Sequence, residues 1–257
     1  MPPPRSSTAH RTKAREPTDD FWPNEFGAEA PSDPNAWKDA KKSRAEMLAA
    51  VRESGFALSS APELYRGDRE VVLEAVRQNG DAMRFASHAL KRDRAFVLEV
   101  CAANGDALLH VAPELESDRE VVLAAVGQNA KAMGYVDDAV KNDVAFMLEA
   151  CARNRDAFIF APKQFLIDRA FFLAACRNDA GALFFAPFSF RADRAFMLEA
   201  VTVSRDALRY ASDDLKADGE FLLEVVAHCG NWYSLSVAPD TLKGDRDFML
   251  KAVKLNW

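Results

Sequence analysis

The sequence predicts an all-α solenoid, built from stacked repeats of about 25 residues. An aspartate returns once per repeat, at constant spacing, from Asp68 to Asp218 and, after a two-residue insertion, once more at Asp245. A closely similar phrase follows each aspartate, with a leucine at the fifth position after it. One such unit cannot bury its own apolar face, so self-similarity at this period indicates units that pack on their neighbours. We therefore expect one helical array.

The aspartate that opens each unit is predicted to cap a long helix. Ser43 takes the same place one repeat before Asp68 and opens a degenerate first unit. Its hydroxyl, like the carboxylates, can accept from backbone N–H groups left free in the first helical turn. Apolar residues follow at the spacing of a helix packed on one broad face. The leucine of that stripe recurs as Leu48, Leu73, Leu98, Leu123, Leu148, Leu173, Leu198, Leu223 and Leu250.

A second, shorter helix is predicted in the second half of each unit. Asn79-Gly80 is a pair that commonly ends a helix in the left-handed conformation, and Asp81 is expected to cap the next helix. A proline ends that helix in five units, because the residue before proline is pushed out of helical conformation. These prolines are Pro62, Pro113, Pro162, Pro187 and Pro239.

The array is predicted to contain eight full units plus a terminal half unit. The full units begin at residues 43, 68, 93, 118, 143, 168, 193 and 218, and each is named below by its first residue. Each is expected to hold one long and one short helix. The half unit runs from Asp245 to Trp257.

The beginning of the chain has a different composition. Seven of the twelve prolines lie in the first 34 residues, among few aliphatic side chains. Such a segment buries too little apolar surface to form a core. We therefore expect residues 1–36 to be a disordered Pro-rich tail and residues 37–257 to be the helical repeat array.

Charge and hydropathy argue against two classes of partner. The chain carries 33 basic and 39 acidic residues, for a net charge of -6. An acidic array without a basic stripe is poorly suited to neutralising phosphates, so no nucleic acid is expected. No apolar run approaches the roughly 20 residues that cross a bilayer, so no membrane is expected. The expected compartment is cytoplasmic, although four basic and no acidic residues in the first 15 leave organelle targeting open.

The phrases of units 68 and 93 resemble a known repeat family. Both read Asp-Arg-x-x-x-Leu-x-x-x-x-x-Asn-Gly-Asp-Ala. This run is similar to the helical repeats of domain of unknown function 4116, common in algae and other protists, and the resemblance covers residues 43–257. Unit 168 departs from it, with Asn-Asp-Ala-Gly at residues 178–181. The resemblance implies a helical repeat fold and implies no known activity.

No pattern predicts catalysis, a metal or a cofactor. The aspartate row is explained by capping, and a glutamate row six positions after it by a solvated helix face. Cys101, Cys151 and Cys176 stand where other units carry valine, so they are expected to be small buried side chains. Cys229 follows His228, but zinc needs two further ligands. We expect no enzyme.

An apolar excess in the middle of the array is the candidate partner-binding site. Nine of the eighteen phenylalanines lie between residues 158 and 190. Five residues are apolar where the same position in other units is mainly polar or small. They are Ile159, Leu166, Ile167, Phe184 and Phe188. Contiguous exposed apolar surface usually marks a partner site, although the irregular turn of unit 168 could instead fold these side chains into a thicker core.

The sequence therefore favours a non-catalytic scaffold for protein–protein interaction that presents this surface to a protein or peptide. One alternative is an uncharacterised enzyme or small-ligand-binding repeat protein, which needs a pocket with perturbed titrating groups. The other is an element that assembles end to end. Solenoid ends normally carry polar caps, whereas the long helix of the half unit leads directly to Trp257, so weak self-association through this half unit is a further expectation.

Overall fold

A computed structural model describes residues 43–229 and 232–255. Throughout these residues the backbone is helical or in turns and bends, and it contains no strand. The fold is the all-α solenoid that the sequence predicts, with eight full units and a terminal half unit. The predicted tail, residues 1–36, lies outside the described residues, and so does Trp257.

Each full unit contains three helical segments, one more than the sequence predicts. The first is a long α-helix, the second a 3₁₀ helix, and the third a short α-helix. The long helices are Arg44–Glu53, Arg69–Gln78, Arg94–Ala103, Arg119–Gln128, Val144–Arg153, Arg169–Asn178, Arg194–Val203, Gly219–Cys229 and, in the half unit, Arg246–Leu255. The 3₁₀ helices are Gly55–Ser60, Gly80–Phe85, Gly105–His110, Ala130–Tyr135, Arg155–Phe160, Ala180–Phe184, Arg205–Tyr210 and Trp232–Val237. The short helices are Glu63–Arg66, His88–Arg92, Pro113–Glu116, Asp138–Lys141, Lys163–Leu166, Phe188–Arg191, Asp213–Ala217 and Asp240–Lys243.

The caps of the long helices are as predicted. Asp68 Oδ1 accepts from the backbone N–H groups of Glu70 and Val71, at 3.0 and 3.2 Å. In the first unit, Ser43 and Glu46 form a reciprocal capping box. These bonds satisfy donors that the first turn leaves without a partner, which fixes where each long helix begins.

The turn after the long helix differs from the prediction. Asn79 is extended, with φ of -153° and ψ of 118°, rather than left-handed, and its side chain accepts from the N–H of Asp81. The predicted cap, Asp81, therefore lies inside the 3₁₀ helix. The prediction was wrong because the Asn79 N–H closes the long helix on Ala75 while its side chain opens the next one. The same role falls to Asn104, Asn129, Asn154 and Asp179.

The glycine that follows this asparagine is explained by close approach between units. A Cβ atom on Gly105 would lie 2.5 Å from the carbonyl oxygen of Ala125 in the next long helix. Gly55 stands in the same relation to Ala75, also at 2.5 Å. Backbone of one unit thus rests directly on the helix of the next, and a side chain would separate them.

The predicted prolines do follow the second helix, and they also begin the unpredicted third segment. Pro62, Pro162, Pro187 and Pro239 are its N-cap residues, and Pro113 is its first residue. Proline fits there because its fixed φ suits a helix start and its missing N–H has no partner in the first turn. A helix of four or five residues is too short for sequence periodicity to reveal it.

Equivalent helices of neighbouring units pack on each other. Each long helix contacts the next long helix, and each 3₁₀ helix contacts the next 3₁₀ helix. Their buried side chains form one continuous apolar core from Met47 to Ala252. No helix in the described part of the chain is long and apolar enough to span a membrane.

Candidate partner-binding surface

The aspartates that open the units also link neighbouring units. Arg94 donates two hydrogen bonds to Asp118, Nε to Oδ2 at 2.8 Å and a terminal nitrogen to Oδ1 at 3.0 Å. The same arginine-to-aspartate step recurs along the array. It joins Arg44 to Asp68, Arg69 to Asp93, Arg119 to Asp143, Arg169 to Asp193 and Arg194 to Asp218. We call this row the arginine ladder.

The ladder lowers the pKa of several of its aspartates. The hydrogen bond from Arg94 lowers the pKa of Asp118. The hydrogen bond from Arg169, with the backbone N–H of Phe196, lowers the pKa of Asp193 to about 2. A carboxylate held in this way accepts hydrogen bonds and is a poor proton donor at neutral pH. These shifts are therefore explained by the packing of the array and do not indicate catalytic acids.

The predicted glutamate row belongs partly to the ladder. Arg194 reaches Glu224 at 2.8 Å, and Arg119 reaches Glu149 at 3.0 Å, each across a unit boundary. These side chains remain partly exposed, as expected of a solvated face, but they are also paired. Sequence reasoning missed the pairing, although arginine directly after most of the opening aspartates was the available signal.

The ladder is interrupted in the middle of the array. Unit 143 has Val144 directly after its opening residue. Unit 218 has Gly219 at that position, and every other unit has arginine there. Asp168 therefore receives no ladder bond. It caps its own helix through the N–H of Ala170, at 2.8 Å. The Val144 side chain is 45% exposed, so the interruption leaves an apolar group on the surface.

Four of the five predicted partner-binding residues are exposed next to this interruption. The exposed fractions are 69% for Ile159, 74% for Ile167, 67% for Phe184 and 63% for Phe188. The alternative in which the whole set folds into a thicker core does not hold for these four. Leu166 differs, because it is half-buried and packs against the core.

Most of the remaining phenylalanines of this region build the core beneath. Phe158 stacks on Phe172 and Phe185, with ring centroids 5.8 and 5.1 Å apart. Phe165 stacks on Phe171 at 5.0 Å. These pairs join units 143 and 168, so the two units that carry the exposed residues are held together by stacked rings.

An equivalent contact elsewhere in the array indicates that the positions of Leu166 and Ile159 are close together. In unit 68, Lys91 Nζ donates to the backbone oxygen of Arg84 at 2.7 Å. Leu166 and Ile159 hold these two positions in unit 143. An aliphatic side chain cannot make that bond, and Leu166 packs against the core instead.

Equivalent contacts also bring Ile167 to the short helix of unit 168. Gln164 Nε2 donates to Asn142 Oδ1 at 3.0 Å across the preceding boundary. In unit 168 the corresponding pair is Ile167 and Ser189, and Ser189 follows Phe188 in the same short helix. Ile159, Leu166, Ile167, Phe184 and Phe188 thus lie on two adjacent units, and these five residues are here called the mid-array patch.

Two further features of the described residues concern metal binding and the cysteine thiols. They contain no group of three or more His, Cys, Asp or Glu side chains placed to hold a metal ion. Burial raises the pKa of Cys101 and Cys151 to about 12, and that of Cys176 to about 11. Such thiols stay protonated and are weak nucleophiles. The Cys229 side chain lies outside the described residues.

Fold and surface together define an α-solenoid of short repeats with an apolar patch in its middle units. The chain belongs to the family described as Domain of unknown function (DUF4116), whose model matches residues 47–91, 93–141, 168–216 and 218–257. Residues 142–167 lie outside those matches, and they include Val144, Ile159 and Ile167. Searches of curated proteins and of solved structures found no match. The family establishes the repeat and leaves the partner open.

Proposed function

We propose that this protein is a non-catalytic scaffold that binds a protein or peptide through the mid-array patch. The observation that carries the proposal is the exposure of four large apolar side chains, 63% to 74%, in two neighbouring units. Ile159 and Phe184 hold a position that is polar or small in most other units, where it is Ser59, Arg84, Gly134 and Arg209, and Leu109 is the exception. A solenoid does not need apolar residues there, so its packing does not explain them.

The patch has the energetic features of an interaction surface. Covering one large apolar side chain contributes about 1.5 to 3 kcal/mol, so four give several kcal/mol before the cost of association. The stacked rings beneath hold the two units in place. A partner therefore meets side chains that are already arranged, which lowers the ordering cost.

Affinity capture with matched variants tests this proposal. Cross-linked partners captured by the wild-type array would be compared with those captured by F184D/F188D. Leu109→Asp is the control, because Leu109 holds the position of Phe184 in unit 93 and is 49% exposed. We expect the double variant to lose the captured partner while its helix signal and melting temperature stay close to wild type, since exposed substitutions change stability by under about 0.5 kcal/mol.

Two results would contradict the proposal. The first is a partner that F184D/F188D captures as well as wild type does. The second is loss of capture by Leu109→Asp to the same extent, which would point to general loss of apolar surface.

End-to-end assembly is the second candidate, and one observation favours it. In the half unit, Leu250 is 46% exposed, although the equivalent Leu123 is fully buried. Leu255 is 47% exposed on the same helix, Arg246–Leu255. A further unit or a second copy packed on this helix would cover both. Light scattering at rising concentration tests this, and a constant monomer mass for both wild type and Leu250→Ser would rule out self-association.

A further inference from the structure

A polar cleft of about 300 Å³ opens between units 168 and 193. Its walls include Arg177, Asp179 and Gly181 from unit 168, and Ser204, Arg209 and Tyr210 from unit 193. The cleft is large enough for a side chain or the end of a peptide, at the lower limit of ordinary ligand pockets.

Two side chains that line this cleft are shorter than their equivalents at another boundary. At the boundary between units 93 and 118, Asn129 Nδ2 donates to Asp106 Oδ1 at 2.9 Å and fills the corresponding space. Ser204 replaces the asparagine, and Gly181 replaces the aspartate. Ser204 is too short to bridge the boundary, and the space beside Gly181 is taken by the Arg155 guanidinium, which a Cβ atom there would overlap. The bridge seen between units 93 and 118 is therefore missing here.

Arg209 relates the cleft to the patch, because it lines the cleft and holds the position of Phe184 in the next unit. In a 3₁₀ helix, residues three apart lie one above the other, so Gly181 and Phe184 share one side of the helix Ala180–Phe184. Ile159, Phe184 and Arg209, at equivalent positions, form one row across three units, in which two apolar side chains are followed by a cation.

The charges of the cleft favour an anion. Asp179 is already satisfied, because it accepts two hydrogen bonds from Arg155, at 3.0 and 2.5 Å, and one from the N–H of Gly181, at 2.8 Å. Among the described residues, no ion pair involves Arg177 or Arg209. Ser204 is the N-cap of its 3₁₀ helix, yet its hydroxyl makes no capping bond.

The walls of the cleft carry two arginines, Arg177 and Arg209, and two aspartates, Asp179 and Asp206, so their formal charges sum to zero. Because Asp179 is already paired with Arg155, the two arginines face Asp206 alone. The patch segments 157–167 and 180–192 contain Lys163 and Arg191 and no acidic residue. An anionic group next to apolar side chains therefore matches this surface better than a cationic one.

We propose that the patch and the cleft together bind a peptide in which an apolar anchor is followed by a carboxylate. This inference rests on the proposed function and names the chemistry of its partner. Apolar side chains cover Ile159, Phe184 and Phe188. The carboxylate enters the cleft and accepts hydrogen bonds from Arg209 and Arg177. Charge-assisted hydrogen bonds of this kind are stronger than neutral ones, and a paired carboxylate is not left unsatisfied.

The repeat sets the spacing within the peptide. Neighbouring helices pack about 8 to 10 Å apart, which is also the step from Phe184 to Arg209 along the row. An extended peptide advances about 3.3 Å per residue. The carboxylate is therefore expected about three residues after the apolar anchor, either as an Asp or Glu side chain or as the C-terminus.

A displayed library of random peptides provides the probe. Peptides that bind the wild-type array and fail to bind F184D/F188D are patch-dependent, and these are synthesised for measurement of Kd by fluorescence anisotropy. Each is made in three forms: unchanged, with Asp and Glu replaced by Asn and Gln, and with an amidated C-terminus. The last two forms separate a side-chain carboxylate from a terminal one.

The array variant R177Q/R209Q tests the cleft. Its matched control is R52Q/R84Q, because Arg52 and Arg84 hold the same two positions at the boundary between units 43 and 68. We expect R177Q/R209Q, or loss of the relevant carboxylate, to weaken binding about tenfold or more, as removal of a charge-assisted hydrogen bond does. R52Q/R84Q should leave Kd unchanged. Ser204→Asn restores the asparagine of the regular boundary and should weaken binding as well.

The outcomes separate the two proposals. This inference is overturned if the Kd of patch-dependent peptides changes neither when their carboxylates are removed nor in R177Q/R209Q. The proposed function would still stand in that case. A library that yields no patch-dependent peptide counts against both. Equal weakening by R52Q/R84Q would show that any loss of positive charge suffices, and the cleft would then have no specific role.

Discussion

Replacement of Asp118 by alanine removes two interactions that the structure separates. Asp118 caps its own helix through the N–H groups of Glu120 and Val121, at 3.1 and 3.2 Å. It also accepts the ladder bond from Arg94. Loss of a cap costs about 1 kcal/mol, and loss of a partly exposed ion pair adds about 0.2 to 1 kcal/mol. We therefore expect Asp118→Ala to lower the free energy of unfolding by roughly 1 to 2 kcal/mol, and to leave partner binding unchanged.

Asp168 is the internal control, because it caps a helix without a ladder bond. Asp168→Ala should cost about 1 kcal/mol, from the cap alone. Val144→Arg supplies the missing donor and should stabilise the array by up to about 1 kcal/mol, but only while Asp168 is present. The four combinations of these two changes form a double-mutant cycle that isolates the ladder bond.

Urea denaturation followed by circular dichroism gives the free energies, since guanidinium chloride would screen the ion pairs. Stacked repeats can unfold in parts, so amide hydrogen exchange in Arg119–Gln128 and Arg169–Asn178 supplies a local measure. A cost for Asp168→Ala equal to or above that for Asp118→Ala would refute the assignment of a ladder bond. Stabilisation by Val144→Arg that persists without Asp168 would refute it equally.

Three further predictions follow from burial, close approach and charge. Leu123→Ala should lower the free energy of unfolding by about 2 to 5 kcal/mol, because Leu123 is fully buried. Leu250 is exposed, so Leu250→Ala should lower it by well under about 1 kcal/mol. Equal losses, measured by urea denaturation, would contradict the packing. Gly105→Ala should destabilise by about 1 to 3 kcal/mol, because its Cβ would overlap the backbone of the next unit, and unchanged stability would mean that the units separate easily. Because the pKa of Asp193 is depressed, its contribution to the free energy of unfolding is fully present above pH 3.8, the ordinary pKa, and is lost as pH falls through about 2. Asp193→Asn should remove that part of the pH dependence of stability. An identical pH profile for Asp193→Asn would show that Asp193 contributes nothing to it.

The repeat, the unit starts and the N-caps of the long helices could be predicted because each rests on a local pattern that recurs in unit after unit. The 3₁₀ conformation and the third short segment could not, since such short stretches carry too little periodicity to identify a helix type. Asn79 illustrates the limit. Its amide oxygen and its N–H serve two successive helices at once, a division of roles that residue preference alone does not reveal.

The candidate surface was accessible to sequence reasoning for a different reason. Comparison with the other units shows which residue types the fold needs at each position. An apolar residue such as Phe184 is therefore noticeable where most units carry a polar or small residue. The same comparison would have marked Gly181 and Ser204. Their joint effect was missed, because they lie almost a full repeat apart and the sequence does not show that their positions face each other across a boundary.

The departures from the repeat occur together because the core of units 143 and 168 compensates for them. The boundary between these units lacks its ladder bond. It also lacks a backbone hydrogen bond: at the next boundary the N–H of Ser212 donates to the carbonyl oxygen of Arg191 at 2.8 Å, but the equivalent of Ser212 here is Pro187, which has no N–H. Stacking of Phe158 on Phe172 and Phe185, and the pairing of Arg155 with Asp179, link the same units instead. Each aromatic pair contributes about 0.5 to 1.5 kcal/mol, comparable to the lost polar links. The boundary can therefore stay closed while its surface becomes apolar, and the surface positions that no longer hold the units together are free to meet a partner.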